Sequence, residues 1–318
     1  MKIGVLVGGT SNEKEISYKS GKNVLDSLKK LGYECDFLDP SDFNFLEKVK
    51  NFDFFMNIIH GYLGEDGRIQ SFLEILNKRY SFSSPEACNI TFDKHFFKEI
   101  FKENFKMPDS ILTDKIIEPP FEFPFILKPR RGGSSKGVHI IHTNQEYEII
   151  LKKELEEYKE IIIQQYVKGR EITISLIEQQ GEFIILPLLE LIPKKEFYDY
   201  EAKYTNGMTI FKIIENPEKW LEEKTKNIAN IITSKIKFRD MLRIDAIIKD
   251  EEVYVLETNV IPGLTDLSDL PMSAKAAGVS FEELMKIFIK NDEWRNNNGI
   301  KGNNDCWNKK RWTNSNCR

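Results

Sequence analysis

Apolar and polar positions along the chain switch repeatedly between two periods, and the switches mark its elements. Residues 2–7 run almost continuously apolar, as a parallel strand buried on both faces does, and Gly8, Gly9, Thr10 and Ser11 then form a loop ahead of a helical stretch at 15–31. Strands at 34–38 and 53–59 continue a β-α-β alternation to about residue 80. Ligands in such sheets sit beyond the carboxyl ends of the strands, which places residues 9–15 and 60–66 on the functional edge. Further on, the pattern predicts a helix at 92–105, an extended run at 125–127 and a Gly/Ser/basic loop at 130–137. A strand at 138–141, a helix at 146–159 and strands at 161–163 and 172–177 follow. Residues 193–208 fit neither period and are dense in aromatics. A helix at 217–236, a hairpin at 241–259 and a helix at 280–289 close the pattern.

The hairpin carries the strongest chemistry. Two runs, MLRIDAII and VYVLETN, flank the polar tetrapeptide Lys249-Asp250-Glu251-Glu252. Residues two apart on a strand share a face, so Arg243 and Asp245 point one way, as do Glu257 and Asn259. Folding about Glu251 sets Asp245 beside Glu257 and Arg243 beside Asn259, with Leu242, Ile244, Leu256 and Thr258 facing away. Two carboxylates and an amide oxygen beside a guanidinium suit Mg²⁺, which keeps water and substrate phosphates in its shell. The plainer alternative is a strand pair with a solvated acidic face, and Asp and Asn are poor strand residues for that.

Composition narrows the class. The 318 residues exceed one ordinary core, and 41% hydrophobic with 30% charged residues is a globular balance. A net charge of −4 supplies no basic field for nucleic acid, so none is expected as a partner. Gly8-Gly9 interrupts the first apolar run too early for a spanning helix; no membrane partner and a cytoplasmic enzyme are expected. Cys35, Cys88, Cys306 and Cys317 have no CxxC spacing, and His60, His95, His139 and His142 are scattered. From Asn291 the chain turns Asn-rich and loses periodicity, and a disordered tail over 291–318 is expected.

Other stretches add weaker signals. Gly8-Gly9 is not a dinucleotide fingerprint, and the 130–137 loop is not a Walker A sequence. Lys128, Arg130, Arg131 and Lys136 nevertheless favour phosphates at that loop, whose backbone N–H groups can fold over them. The connector Gln164-Gln165-Tyr166-Val167 can read an adenine edge or be an ordinary strand exit. Residues 193–208 read as a lid loop over a reactive intermediate or as exposed aromatic packing. Glu13 reads either as a site residue or as an exposed acid in a first helical turn.

Taken in order, GGTSNEKEIS, HGYLGEDGRIQ, FDK, ILKPRRGGSSKG, FYDYEAKY, RIDA, LETN and PGLT followed by LPM resemble the D-alanine:D-alanine ligases of the ATP-grasp superfamily, from about residue 2 to 289. The resemblance implies a mixed α/β fold in three parts: a parallel α/β domain at 1–82, a β-rich central ATP-grasp subdomain at 83–164 and a C-terminal ATP-grasp subdomain at 165–290. It implies ATP and two Mg²⁺ ions, with Mn²⁺ as a substitute, D-alanine as substrate and a homodimer. Lys94, Lys128, Ser135, Gln164, Val167, Glu171 and Lys203 would hold the nucleotide. Asp245, Glu257 and Asn259 would hold metal. Glu13, Ser134 and Tyr204 match a hydrogen-bonded triad that closes the lid. Glu13 and His60 match the first substrate's site, Ser268 the second substrate's carboxylate, and Arg243 with the Gly263 N–H the stabilisers of the tetrahedral intermediate.

The chain also departs from the family pattern. Gly132 stands where an acid is usual, Arg130 and Lys136 where small residues are usual, and Leu267 and Asp269 where a His and a Leu flank the acceptor serine. An acid there would repel the acceptor carboxylate by roughly 1–4 kcal/mol at 4 Å. Either Asp269 points away, or the second substrate is D-serine, a hydroxy acid or another amino acid.

Overall fold

The computed structural model describes residues 1–11, 13–194 and 208–298, which form three sheets with helices around them. The first sheet is parallel: β1 (Lys2–Leu6), β2 (Glu34–Leu38), β3 (Phe54–Asn57) and β4 (Arg79–Tyr80) lie in the order β2-β1-β3-β4. β1 and β3 are buried along nearly their whole length, which is why their sequences are continuously apolar. Helix α1 (Lys14–Lys30) covers one face through Val24, Leu25 and Leu28. On the other, Leu6, Leu38, Phe55, Ile69 and Leu73 form a separate core under α2 (Phe45–Val49) and α3 (Arg68–Ile75), two short helices the periodicity does not announce.

The carboxyl edge of this sheet is built around Gly8. Its φ is +80°, and a Cβ there would lie 2.1 Å from Asp39 Oδ2, so only glycine passes. Asp39 accepts the Gly9 N–H (3.0 Å) and the Ser41 hydroxyl (2.7 Å) and pairs with Lys14 (2.9 Å). Burial pushes its carboxyl up, but these bonds outweigh burial and hold it well below the usual carboxylate range. The loop that delivers Glu13 is thereby pinned from beneath.

The helix expected at 92–105 is the shorter α5 (Lys94–Phe101), and a second helix, α4 (Pro85–Phe92), runs directly before it. Asp93 breaks them with an extended ψ of 95° and caps α5 by accepting the Phe96 N–H. The second sheet is antiparallel, in the order β5-β8-β6-β7: β5 (Ser110–Thr113), β6 (Phe125–Pro129), β7 (His139–Ile141) and β8 (Ile161–Gln165). Helix α6 (Asn144–Tyr158) packs on it through Tyr147 and Leu151 against Phe125, Leu127 and Ile161.

The third sheet is also antiparallel. β9 (Arg170–Gln179), β10 (Glu182–Ile185), β11 (Leu189–Pro193), β12 (Thr209–Ile213), β13 (Met241–Lys249) and β14 (Glu252–Asn259) run in the order β12-β11-β9-β13-β14, with β10 beside β9. Its helices are α7 (Lys219–Lys235), α8 (Asp269–Ala276) and α9 (Phe281–Asn297). Leu242, Ile244 and Phe288 join Ile3, Val5 and Val24 in one core, so the α1 face of the parallel sheet packs on this unit.

Helix α9 corrects the expected tail boundary at 291. It opens with a Ser280/Glu283 capping box and runs on to Asn297, with Asn291, Asp292 and Arg295 buried. Its inner face stops being apolar, not being inner: Arg295 pairs with Glu178 (2.8 Å) and Asp240 (3.0 Å), and Asn291 donates to Asp240 (3.2 Å). Residues 299–318 lie outside the described residues.

Candidate active site

The hairpin is the expected one at its functional end. Arg243 pairs with Asn259 and Asp245 with Glu257, while near the turn the register differs by one, Lys249 opposite Glu252. Asp250 and Glu251, with φ of 51° and 56°, form a two-residue turn of type I′. A bulge between Asp245 and Ala246 leaves Leu256 as the extra residue. Val253 and Val255 face the core; without the bulge Glu257 and Asn259 would follow them inward. The bulge reverses the phase and turns both toward the open face. It also brings Leu256 onto that face, where it lines the large cleft, which corrects its expected inward position.

Asp245, Glu257 and Asn259 thus share the open face. Among the described residues no group of three or more His, Cys, Asp or Glu gathers as a metal cluster. Two carboxylates and an amide oxygen still fit Mg²⁺, which draws its other ligands from water and phosphate. Arg243 donates from Nε and Nη2 to the two oxygens of Asp245, both at 2.8 Å, and its Nη1 lies 3.3 Å from Asp269 Oδ2. Asp269 therefore engages Arg243. Asn259 Oδ1 accepts the Ile261 N–H (2.9 Å), which fixes the amide's orientation.

A cleft of about 320 Å³ lies between the second and third sheets. Lys94, Lys128, Ser135, Gln164, Val167 and Glu171 all line it, so six of the seven expected nucleotide residues converge. Gln164 does so as a residue of β8, which runs on to Gln165 instead of ending at 163. Lys128 is buried on β6, and burial pushes its ammonium down to about 8 against the opposing pull of Glu257. Lys94 Nζ donates to the Gly132 carbonyl (2.5 Å) and stands 3.6 Å from Glu257 Oε2.

The basic loop is less basic toward the cleft than its sequence suggests. Arg130 donates from Nε to both oxygens of Asp93 (2.8 and 3.0 Å) and from Nη1 to Glu160 (2.6 Å), and lies over the Phe96 ring. Arg131 donates to the same Asp93 (3.0 Å). Neither lines the cleft, whereas Lys136 does. These arginines staple the loop to the start of α5, next to Lys94. Asp93, fully buried, is a residue the sequence reading missed, although an Asp directly before a helix is an N-cap signal.

Ser134 and Ser135 both take left-handed φ, 53° and 56°, which turns Ser134 out of the cleft toward the first sheet. There its Oγ donates to Glu13 Oε1, bridging two parts of the chain 121 residues apart. Glu13 is buried, not an exposed first-turn acid; burial first, then the charge of Glu65, pushes its carboxyl up. His60 is buried beside it, with Nδ1 3.8 Å from Glu65 Oε1, and its backbone carbonyl accepts the Ser11 hydroxyl (2.7 Å). Glu65, missed in the sequence although it sits in HGYLGEDG, also accepts the Gly61 N–H (2.9 Å). Lys203, Tyr204 and the expected lid loop lie outside the described residues, apart from the loop's two ends.

On the far side, Gly263 meets Ser268 so closely that a Cβ would lie 2.6 Å from Ser268 Oγ. Ser268 Oγ accepts the Thr265 N–H (3.1 Å), and the Leu264 N–H donates to Ser20 of α1 (3.3 Å), so the PGLT turn is held from both sides. A cavity of about 430 Å³ opens here, lined by Gly263, Ser268, Asp269 and Arg243. A smaller one, about 40 Å³, is lined by Lys94, Gly133, Ser134, Glu65, Glu257, Asn259 and again Arg243. The 320 Å³ cleft and the small cavity share Lys94, Gly132, Gly133 and Glu257. The three spaces therefore adjoin in series through shared lining residues, and Arg243 stands where the second meets the third.

Comparison with known proteins agrees with this arrangement. A family model described as D-ala D-ala ligase C-terminus matches residues 90–290. The chain is 55% identical over 292 residues to the D-alanine–D-alanine ligase of Petrotoga mobilis, covering 92% of this chain and 98% of that one. It is 45% identical to the corresponding ligase of Pseudothermotoga lettingae, over 91% and 99%. Among solved structures, D-alanine–D-alanine ligase from Bacillus anthracis complexed with ATP superposes with a TM-score of 0.80 at 32% identity, covering 94% of this chain and 99% of that one. A second structure of the Bacillus anthracis ligase gives 0.82 at 34%, with the same coverage. With a matching fold over nearly its whole length, the chain belongs to the D-alanine–D-alanine ligase family, ATP-dependent ligases of the ATP-grasp superfamily.

Proposed function

We propose that the protein joins two D-alanine molecules at the expense of ATP, giving the dipeptide used in cell-wall synthesis, ADP and phosphate. The observation that carries this is the shared position of Arg243 between a cavity lined by Lys94, Gly133, Glu257 and Asn259 and a second cavity closed by Gly263 and Ser268. A ligase needs such a junction, because one carbon must meet first a phosphoryl group and then an amine.

The first D-alanine is held by Glu13 at its ammonium, with His60 alongside. Its carboxylate oxygen attacks the γ-phosphorus, the bond to the β-phosphate oxygen breaks, and ADP leaves an acyl phosphate. Lys94 and Lys128 balance the transferred charge, and the contribution is mainly positioning and electrostatic. The amine of the second D-alanine, whose carboxylate is held at Ser268, attacks the acyl carbon. Arg243 and the Gly263 N–H face the resulting oxyanion, and as the C–O bond breaks phosphate departs with the proton that the amine nitrogen gives up. Mg²⁺ at Asp245, Glu257 and Asn259 supplies charge neutralisation and a template for the phosphates; two ions, replaceable by Mn²⁺, are part of the proposal. Glu171 and Val167 serve the nucleoside. Lys203 and Tyr204 complete the γ-phosphate contact and the triad with Glu13 and Ser134.

The division into domains near residues 82 and 164 belongs to the same proposal and is supported by the three sheets. So do a cytoplasmic location and a homodimer. No helix among the described residues is long and apolar enough to cross a membrane. The alternative acceptor loses its main support, because the Asp269 carboxylate is turned to Arg243. The test is Mg²⁺- and ATP-dependent phosphate release with single amino acids and pairs, products read by mass. D-alanine alone should yield the homodipeptide; poor turnover with D-alanine alone and strong turnover with a mixed pair would reject it.

A further inference from the structure

Asp269 has no place in the expected ligand set, yet it is one of the most enclosed acids of the site. Its side chain is 6% exposed and lies in the first turn of α8, directly after Ser268. A helix N-terminus favours a carboxylate there. The Asp269 carboxylate pairs with Nη1 of Arg243, from the acceptor side. Asp245 grips the same guanidinium through Nε and Nη2, from the metal side.

The two grips differ in permanence. Asp245 is also a proposed Mg²⁺ ligand, and a divalent cation competes for the same oxygen lone pairs that the guanidinium fork uses. Whatever fraction of that fork is lost, Arg243 would then lean on its other partner. Asp269 meets the guanidinium at Nη1, the nitrogen Asp245 does not engage, so it tethers the group there and lets the rest of the fork re-aim. We propose that Asp269 is a positioning residue, the anchor that keeps Arg243 on the acceptor side when metal engages Asp245. This rests on the ligase reading of Arg243 and Asp245 and explains why an acid is tolerated beside the acceptor's carboxylate site. Its influence falls on the step in which negative charge grows on the acyl oxygen, not on nucleotide binding.

The test uses the full chain carrying D269N, D269E or, as a control, R243A. D269N should lower kcat about 10- to 100-fold, the scale of a misplaced catalytic group. The KM for ATP and the calorimetric affinity for ATP should stay within about twofold of the parent, and D269E should recover most of the loss. A readout without turnover is the rate at which a dicarbonyl reagent modifies Arg243, followed by peptide mass mapping. It should rise several-fold in D269N when Mg²⁺ is present and change little without metal. Unchanged kcat in D269N, no recovery in D269E, ATP affinity falling in parallel with kcat, or an Arg243 reactivity indifferent to the substitution would each overturn the proposal. Should D269N fail to melt cooperatively, D269S is read in its place. If R243A itself turns over normally, the reading of Arg243 has failed; if R243A is inactive and D269N is normal, only the role of Asp269 has.

Discussion

The two ends of the stretch 240–245 hold the same ionic motif in opposite uses. At one end Arg295 lies between Glu178 and Asp240; three residues on, Arg243 lies between Asp245 and Asp269. Around Arg295 the remaining polar groups find partners within the protein: Asp240 also accepts the Phe82 N–H (2.7 Å) and the Asn291 amide, and Glu178 accepts the Asp240 N–H (2.7 Å). That cluster ties the end of the parallel sheet to the third sheet and to α9. Around Arg243 the same residue types border two cavities. Composition does not separate structural from catalytic ion pairs here. Access does.

The largest effect should come from the closed end. Arg295→Ala leaves two buried carboxylates without their cation and should cost about 3–5 kcal/mol of stability. It is read as a lower melting temperature, with kcat per folded molecule unchanged. Arg243→Ala should weight that profile toward activity: its two acids are also buried but border cavities, so melting falls less than in Arg295→Ala, while kcat falls roughly 10²- to 10³-fold, the scale of losing one oxyanion stabiliser, with ATP still bound. If both variants lose stability alike, the contrast is wrong.

Lys128→Met sharpens the contrast from the cleft. The folded Lys128 has its pKa near 8, below the unfolded value, so the buried charge destabilises the fold below that pH, and the cost fades as pH rises from about 8 to the unfolded pKa. Removing the charge should raise stability at neutral pH, by up to something on the order of 3 kcal/mol, while ATP binding is lost. Thermal melting with and without ATP checks both halves. The smallest effect is the pH dependence of the parent. Phosphate favours the protonated lysine, so ATP affinity should weaken as pH rises above about 8, with proton uptake on binding detectable by calorimetry in buffers of different ionisation enthalpy.

Much of this was legible in the sequence where the signal is local. Asp245 and Glu257 came out opposite each other because two one-residue offsets cancel: the turn sits at Asp250-Glu251 instead of being centred on Glu251, and the bulge at Leu256 restores the pairing. Continuous apolar runs marked β1 and β3. The phase reversal at Leu256 was not legible: a bulge adds one residue with no compositional mark, so strict alternation put Leu256 on the wrong face. Arg130 and Arg131 were read as phosphate ligands because their partner Asp93 is 37 and 38 residues away. The end of α9 was missed for a related reason. Its last turns bury Asn291 and Arg295 against Glu178 and Asp240, and Asp292 against Arg79, and hydrophobic periodicity is blind to a helix face buried by charge pairing.

The central claim, that one carboxylate is phosphorylated and then captured by an amine at Arg243, is tested most directly by isotope transfer. D-alanine labelled with ¹⁸O in its carboxylate is incubated with Mg²⁺ and ATP, and the released phosphate is analysed by mass. An acyl phosphate requires one labelled oxygen in each phosphate, accompanied by one dipeptide. Phosphate without label would mean that water, not the substrate carboxylate, had attacked the γ-phosphorus, and would contradict the account.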